Sequence, residues 1–148
     1  MTRASFKVIG ISVRTMNTNN QAKTDINNLW DRWFNENIAT RIPNTISEDL
    51  YNVYTDYESD ENGYYTTILG YEVSTLVSVP KGLIGKQIPK SKYKEFVSTG
   101  KLPDCVVKTW ETIWNLKFDR SYLADFDVYN PETMHPENAE VKTYLSIN

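Results

Sequence analysis

Hydrophobic and polar residues follow two periods along this chain. In six stretches apolar residues alternate with polar or small residues, which is the period of a β-strand with one buried face. Two other stretches repeat apolar residues every three or four positions, which is the period of an amphipathic helix. The six predicted strands cover residues 5–13, 51–54, 65–73, 91–99, 126–129 and 140–147.

The two predicted helices lie between these strands. The first begins after Thr24 as its N-cap, with Asp25 in the first turn, where a carboxylate favours the helix dipole. The second begins at Pro103, because proline suits the first turn of a helix. Their apolar faces consist of Ile26, Leu29, Trp30, Trp33, Phe34 and Ile38 in the first helix and of Val106, Trp110, Ile113 and Trp114 in the second.

The connecting segments carry turn and loop residues. Residues 39–49 contain Pro43 and are predicted to form a polar surface loop. Residues 59–63, SDENG, are typical of a hairpin turn, since Asn-Gly adopts positive φ readily. Residues 79–89 are bounded by prolines and are predicted to be a linker. Residues 130–138 are predicted to be a second connector, or alternatively a flap over a groove.

The order strand, helix, strand, strand occurs twice. LWDRWF aligns with TWETIW, so that Trp30 corresponds to Trp110 and Phe34 corresponds to Trp114. A unit of this size is too small to bury its own apolar face, so we expect the two copies to pack together. The groove between such copies is a natural ligand site.

We therefore predict an α+β fold with a duplicated strand-helix-strand-strand unit. The first repeat spans about residues 5–80 and the second about 90–148, within a single domain of residues 1–148. The expected architecture is a pseudo-twofold antiparallel sheet with two main helices and a central cleft.

Composition excludes several classes of protein. The chain is 40% hydrophobic and 24% charged, which is typical of a folded globular protein. Its net charge is −3, and its lysines are interleaved with other residues, so direct nucleic-acid binding is disfavoured. No stretch is apolar enough for a signal peptide or a membrane span. Because Cys105 is the single cysteine, no internal disulfide is possible, which favours a cytoplasmic location.

Aromatic residues make up 13% of the chain, with 4 Trp and 10 Tyr. Such rings can simply fill a two-layer core, but they can also line a cavity. A cavity lined by rings suits flat, apolar or cationic ligands, since ring faces attract cations. The rings that we expect to line the cleft are Trp30, Phe34, Tyr54, Tyr65, Trp110, Trp114 and Tyr129.

The usual catalytic and cofactor patterns are missing. His135 is the only histidine and lies in a predicted loop, which excludes a histidine-based triad and a multi-histidine metal site. Cys105 has apolar neighbours and is expected to be a buried structural thiol. The GLIGK segment at 82–86 is too short between its glycines for a phosphate loop. We predict no catalytic residue, no metal site and no cofactor from these patterns.

Two carboxylates differ from the other acidic residues. Glu72 and Asp127 each lie inside a predicted strand between apolar or aromatic neighbours. Alternation does not decide which of the two strand faces each one occupies. A carboxylate among rings favours a cationic ligand or has a raised pKa. The carboxylates expected to be solvated are Asp31, Glu58, Asp60, Glu61 and Glu111.

The chain resembles the GyrI-like effector-binding family over nearly its whole length. The resemblance rests on residues 50–73, which include VYTDYESD, on residues 82–114, and on residues 120–129, which include DFDVY. Within the family, the chain is similar to stand-alone integron-cassette effector-binding proteins and to the ligand domains of AraC-type and multidrug-sensing regulators. The resemblance implies a cleft that binds hydrophobic, often cationic, small molecules.

The resemblance also implies a role for Asp127. Relatives carry an acidic residue, usually glutamate, in the segment that matches DFDVY, and Asp127 stands at that position. The shorter aspartate departs from the pattern and reduces the reach of the carboxylate. Because a predicted strand begins at residue 5, no DNA-binding helix-turn-helix is expected before the domain. We therefore expect a stand-alone effector-binding protein linked to transcription regulation or drug response.

Two alternatives are implied by other members of the family. One is a hydrolase of strained cyclopropane-type compounds, with Asp127 or Glu72 as acid or base and Tyr54 or Tyr129 as hydrogen-bond donor. The other is a protein partner, as in a gyrase-binding inhibitor. The enzyme requires a buried acid near the substrate, whereas the inhibitor requires an exposed patch.

Overall fold

The computed structural model describes all residues, 1–148, and contains one eight-stranded sheet and two α-helices. Short 3-10 turns lie at Thr18–Asn20, Ile38–Arg41 and Pro131–Thr133. The helices are α1, Gln21–Asn35, and α2, Asp104–Asn115. The strands are β1, Thr2–Arg3; β2, Phe6–Thr15; β3, Thr45–Thr55; β4, Tyr65–Val73; β5, Ile84–Ile88; β6, Ser91–Gly100; β7, Ala124–Tyr129; and β8, Ala139–Ile147.

The strand order confirms the predicted α+β fold with its pseudo-twofold antiparallel sheet. The order is β1-β6-β8-β7-β3-β4-β2-β5, and neighbouring strands pair antiparallel. One unit, β2-α1-β3-β4, therefore mirrors the other, β6-α2-β7-β8, about the central pair of β3 and β7. In that pair Asn52 lies directly opposite Asp127. The centre of the sheet thus carries one amide and one carboxylate at corresponding positions.

Each face of the sheet carries a cluster of buried apolar residues. The larger apolar cluster lies under the helices and includes Ile11, Leu29, Leu69, Trp110 and Val141. A smaller cluster lies on the other face and includes Phe6, Val8, Tyr51, Val53, Ile68, Ile88, Tyr93, Ala124 and Phe126. Because strand side chains alternate between faces, the parity of a residue in its strand decides which cluster it joins.

The helices cover different halves of the sheet. Helix α1 packs on β2 and β4, whereas α2 packs on β6. Leu29 and Trp33 are buried in α1, as are Val106, Trp110 and Ile113 in α2. The other members of the predicted apolar faces are buried or half-buried, with Ile38 in the 3-10 turn after α1, but Phe34 is 61% exposed and Trp114 is 44% exposed.

Helix α1 and strand β3 both begin earlier than the sequence predicts. Helix α1 begins at Gln21, before Thr24, because Asn19 and Asn20 adopt the left-handed conformation that ends the preceding turn. The predicted surface loop over 39–49 is partly wrong. It contains the start of β3, where Thr45 pairs with Val73 across an irregular register. The side chains at the start of this strand are exposed, so the strand shows no alternation of apolar and polar residues there.

The predicted linker over 79–89 is also partly wrong, since it contains β5. This strand pairs with β2 at the edge of the sheet. Its exposed residues and its length of 5 residues give it almost no periodic signal. Strand β1 has 2 residues, which are too few to give a periodic signal in the sequence. Neither helix is both long enough and apolar enough to span a membrane.

Candidate functional site

Asp127 lies at the centre of the sheet on the face that carries the helices. Its side chain is 0% exposed. Three neutral donors surround the carboxylate. Tyr54 Oη donates to Oδ2 at 2.7 Å, Trp110 Nε1 donates to Oδ1 at 3.1 Å, and the Thr143 hydroxyl donates to Oδ1. These donors come from β3, α2 and β8, so the fold assembles the site from segments far apart in the chain.

Burial dominates the electrostatics of Asp127. Desolvation raises the pKa of its carboxyl to about 6, against the hydrogen bonds from Thr143, Tyr54 and Trp110, which lower it. The nearby charge of Asp125 raises the pKa further. Asp127 forms no salt bridge. The carboxylate is therefore held by dipoles alone, in surroundings that favour its neutral form.

Two equivalent ring pairs flank Asp127. The Trp110 ring from α2 meets Tyr54 from β3 edge to face at 5.2 Å. The Trp30 ring from α1 meets Tyr129 from β7 in the same way at 5.0 Å. Each helix thus contacts a central strand of the opposite unit. Such pairs stabilise a fold by about 0.5–1.5 kcal/mol each beyond their buried area, so the rings tie the two units together around the carboxylate.

Exposed rings continue each pair toward the solvent. Phe34 stacks on Trp30 with centroids 6.3 Å apart, and Trp114 lies 6.5 Å from Trp110. Each helix therefore presents one inner and one outer ring, four residues apart on the same face. Trp30 with Phe34 on α1 and Trp110 with Trp114 on α2 thus form two equivalent ring walls, one on each helix.

Tyrosines extend the ring surface along β3 and β4. The Tyr65 ring lies 6.1 Å from Tyr54 and 5.7 Å from Tyr57, and its hydroxyl donates to Asn17 Oδ1 at 2.8 Å. Burial raises the pKa of Tyr54 and of Tyr129 well above the ordinary value. Their hydroxyls therefore stay protonated at neutral pH and act as neutral groups beside Asp127.

A second buried carboxylate, Asp125, was missed in the sequence. It lies two residues before Asp127 on β7 and is also 0% exposed. Unlike Asp127 it has a cationic partner, since Arg120 Nη2 lies 2.9 Å from its Oδ2. Tyr57 donates to Oδ2 at 2.5 Å, and the Ser146 backbone donates to Oδ1 at 2.8 Å. The sequence did contain a signal for Asp125, because residues two positions apart in a strand lie on the same face, so Asp125 had to share the face of Asp127.

Glu61 and Tyr122 join the Arg120 cluster. Tyr122 Oη donates to Glu61 Oε2 at 2.5 Å, and the Arg120 guanidinium lies 4.4 Å from the Tyr122 ring centroid. Glu61, expected to be solvated, is thus half-buried and partnered. The hairpin loop that carries it folds back toward the end of α2, which the turn pattern alone does not indicate.

The structure separates Glu72 from Asp127. Glu72 lies on the opposite face of the sheet, where its Oε1 is 2.9 Å from Arg3 Nη2 and accepts a hydrogen bond from Tyr51 Oη at 3.2 Å. It is therefore not part of the cluster around Asp127. Of the two strand carboxylates predicted as ligand-binding, only Asp127 lies between the helices.

The remaining reactive side chains stand apart from this cluster. Cys105 is buried in α2, as expected, and burial raises the pKa of its thiol. His135 is exposed in the loop between β7 and β8. No group of three or more His, Cys, Asp and Glu side chains is arranged to hold a metal ion.

Two surface pockets lie beside α2 rather than over Asp127. One, of about 420 Å³, has mainly polar walls between β6 and α2 and includes Lys101, Cys105 and Lys108. The other, of about 320 Å³, lies at the end of α2 and includes Trp114 and Arg120. The second pocket thus connects an outer ring of the ring walls with the Arg120 cluster, whereas Asp127 itself is covered by its own donors.

Comparison with known proteins gives one family match. The family described as integron-associated effector binding protein matches residues 1–147. The chain is also 28% identical over 145 residues to YobU of Bacillus subtilis (strain 168), which its name describes as a candidate transcriptional regulator. That alignment covers 93% of this chain and 89% of YobU.

Two solved structures share the fold. An integron cassette protein from the mobile metagenome of Vibrio cholerae is 27% identical, with a TM-score of 0.79, and the match covers 100% of this chain and 94% of that one. SAV2435, solved bound to tetraphenylphosphonium, is 17% identical, with a TM-score of 0.83 and coverage of 100% and 92%. The second similarity concerns the fold alone.

Proposed function

The chain belongs to the family of integron-associated effector binding proteins, and on that premise we propose that it binds small hydrophobic cations between its two helices. Asp127 is the counter-ion of the ligand in this proposal. The rings that hold the ligand are Trp30, Phe34, Tyr54, Tyr65, Trp110, Trp114 and Tyr129.

The contrast between Asp125 and Asp127 carries the proposal. Both carboxylates are fully buried on β7, yet only Asp125 has a guanidinium partner. A buried charge is costly unless it is paired, so Asp127 is poised to gain a cationic partner. A ligand cation between the ring walls supplies that partner and stabilises the ionised carboxylate.

The ring walls favour a hydrophobic cation over a small hydrated one. Ring faces attract cations. The rings also contact the apolar surface of the ligand in place of water. Because Asp127 is covered by Tyr54 and Trp110, ligand entry requires these rings to move apart. Tyr54 is only half-buried and Trp114 is exposed, so the opening lies along this side of α2.

The relatives support both parts of the proposal. SAV2435 has this fold and was solved with tetraphenylphosphonium, which is a hydrophobic cation. YobU is named as a candidate transcriptional regulator. We therefore extend the proposal to a role in which ligand binding is read out in transcription regulation or drug response.

Asp127→Asn is expected to lower the affinity for methyltriphenylphosphonium by about tenfold or more, because the change removes the charge and keeps the shape. The natural chain should bind this cation with a Kd of roughly micromolar order. Tryptophan fluorescence reports binding directly, since Trp30 and Trp110 flank the carboxylate. The neutral compound triphenylphosphine oxide should bind both proteins alike.

Asp31→Asn provides the matched control for this change. Asp31 is exposed on α1 beside Trp30, so the variant loses the same charge without touching the buried carboxylate. It should bind the cation as the natural chain does. Equal cation affinity in the natural chain and Asp127→Asn would contradict the proposal, as would the absence of any binding.

Cation affinity should rise with pH through the pKa of Asp127. With a pKa of about 6, roughly one tenth of the carboxyl is ionised at pH 5 and nine tenths at pH 7. Binding of methyltriphenylphosphonium should therefore be about tenfold tighter at pH 7, and the binding should release protons below pH 6. Calorimetry in buffers of different ionisation enthalpy measures both quantities.

The carboxyl of Asp127 also makes the free energy of unfolding depend on pH. Its folded pKa lies above the ordinary value of 3.8, so the folded state favours the neutral carboxyl. The contribution of Asp127 to the free energy of unfolding is thus largest below pH 3.8 and decreases as pH rises to about 6. In Asp127→Asn both this decrease and the pH dependence of cation binding should disappear. A pH profile of cation affinity that the substitution leaves unchanged would exclude Asp127 as the counter-ion.

A further inference from the structure

Arg3 lies inside a box of aromatic rings on the sheet face opposite Asp127. Its Cζ atom is 3.8 Å from the ring centroid of Phe6, 5.4 Å from that of Phe126 and 5.5 Å from that of Tyr51. All three distances are within the range of cation–π attraction, about 6 Å. The guanidinium of Arg3 is therefore bound by its own chain in the manner of a ligand cation.

A carboxylate completes the box. Glu72 Oε1 lies 2.9 Å from Arg3 Nη2, and Tyr51 Oη lies within hydrogen-bond distance of both side chains, at 3.2 Å and 3.3 Å. Three rings and a carboxylate around one guanidinium combine charge-assisted hydrogen bonding with ring attraction. This is a complete set of contacts for a cation, separate from the one around Asp127.

The walls of the box do not depend on Arg3 for their position. Phe6, Tyr51 and Phe126 are core residues of β2, β3 and β7, exposed by 5%, 5% and 0%. Their rings contact one another at centroid distances of 5.8, 5.2 and 5.7 Å. Glu72 belongs to β4, which pairs on both sides. The box is thus built from strands that each pair on both sides, so we expect it to keep its shape when its occupant leaves.

The occupant is held by a much weaker element. Strand β1 consists of Thr2 and Arg3 and pairs with β6 alone, at the edge of the sheet. Elements with so few hydrogen bonds open locally far more often than a core strand does. The side chains of Arg3 and Glu72 are also 25% and 20% exposed, so the box is reachable from the solvent.

A neighbouring group on this face lacks a partner. The Tyr93 hydroxyl is buried without a hydrogen bond, although its ring contacts Phe126 at 5.2 Å. Buried hydroxyls are normally satisfied, and one that is not marks a place where a bound polar group is favourable. The face therefore offers an unused polar group beside the box.

We propose that the box of Phe6, Tyr51, Phe126 and Glu72 is a second cation site, selective for small alkylguanidinium compounds, which Arg3 closes by occupying it. Opening of β1 withdraws Arg3 and exposes the box to a competing ligand. The site is on the opposite face from Asp127 and does not depend on the function proposed for that residue.

Arg3→Ala provides the test, with ethylguanidinium as probe and the neutral, similarly shaped ethylurea as control. Thermal melts over a concentration series, at ionic strength held constant with sodium chloride, give the half-saturating concentration. Because Arg3 no longer competes, ethylguanidinium should stabilise Arg3→Ala saturably, at a concentration at least about tenfold lower than the natural chain requires. Ethylurea should have no saturable effect.

Two further substitutions show where ethylguanidinium binds. Glu72→Gln added to Arg3→Ala should abolish the saturable stabilisation, whereas Asp127→Asn added to Arg3→Ala should leave it unchanged. Loss through Asp127→Asn would place the guanidinium between the helices and overturn the proposal. Equal responses of Arg3→Ala and the natural chain, or equal responses to ethylurea, would overturn it as well.

Arg3→Met keeps the result interpretable if Arg3→Ala does not fold. The methionine side chain is shorter than that of arginine and uncharged, so the variant keeps an apolar side chain at this position but leaves Glu72 without a cation. Folding of either variant upon addition of ethylguanidinium would support the site. Variants that stay unfolded with and without the compound would contradict it, because an available cation site must recover stability when it is filled.

Discussion

Trp110→Ala is expected to lower the free energy of unfolding by about 3–5 kcal/mol, the scale for deleting a buried tryptophan. Trp110 is 9% exposed and packs edge to face on Tyr54. Its indole also donates to Asp127, so the truncation removes both ring packing and one of three donors to a buried carboxylate. Urea unfolding measured at neutral pH gives the change directly.

Two companion variants separate these contributions. Trp114→Ala removes the outer ring of the same wall, which is 44% exposed, and should cost about 1 kcal/mol or less. Trp110→Phe retains most of the ring and loses the N–H, so it should fall between the two. A small effect of Trp110→Ala, comparable to that of Trp114→Ala, would show that the Trp110 ring is not part of the core.

Arg120→Met is expected to destabilise the protein by about 3–5 kcal/mol at neutral pH, because it leaves the charge of Asp125 buried without its cation. The side chains of Arg120 and Asp125 are 6% and 0% exposed. The hydroxyl of Tyr57 and the backbone of Ser146 remain as partners, but neither carries a positive charge. Denaturant unfolding of the variant and of the natural chain gives the difference.

A double variant tests whether the loss comes from the unpaired charge. Arg120→Met combined with Asp125→Asn removes both charges and should recover a large part of the stability lost in Arg120→Met. The interaction energy of this cycle should be well above the roughly 0.5 kcal/mol expected for independent sites. Additive losses in the double variant would show that the salt bridge does not carry the effect.

The sequence determined the elements that have a strong local period. Helix α2 begins with Asp104, directly after the predicted Pro103, and the strand over residues 65–73 has the predicted limits. The two units and the correspondence of Trp30 with Trp110 also followed from the pattern, and the resemblance to effector-binding proteins is confirmed by the family match. The limits of these elements depend on residues within a few positions of each other, where periodicity acts, whereas the repeat and the family resemblance were found by comparing whole segments of sequence.

The hydrophobic pattern did not predict the short or exposed strands. Strands β1 and β5 contribute 2 and 5 residues and have no buried alternation of their own. They are strands because β6 and β2 offer free backbone groups at the edges of the sheet. Their structure is decided by the partner strand rather than by their own side chains.

Only the tertiary structure decided what each carboxylate does. In the sequence Glu72 and Asp127 have similar apolar neighbours, yet strand parity places them on opposite faces of the sheet. Glu72 then meets Arg3, 69 residues away, and Asp127 meets Tyr54, 73 residues away. Asp125 gains Arg120, while Asp127 gains neutral donors alone. Packing of distant segments selects the partners of Glu72 and Asp127, because the charge and burial around a strand residue depend on the segments that fold against it.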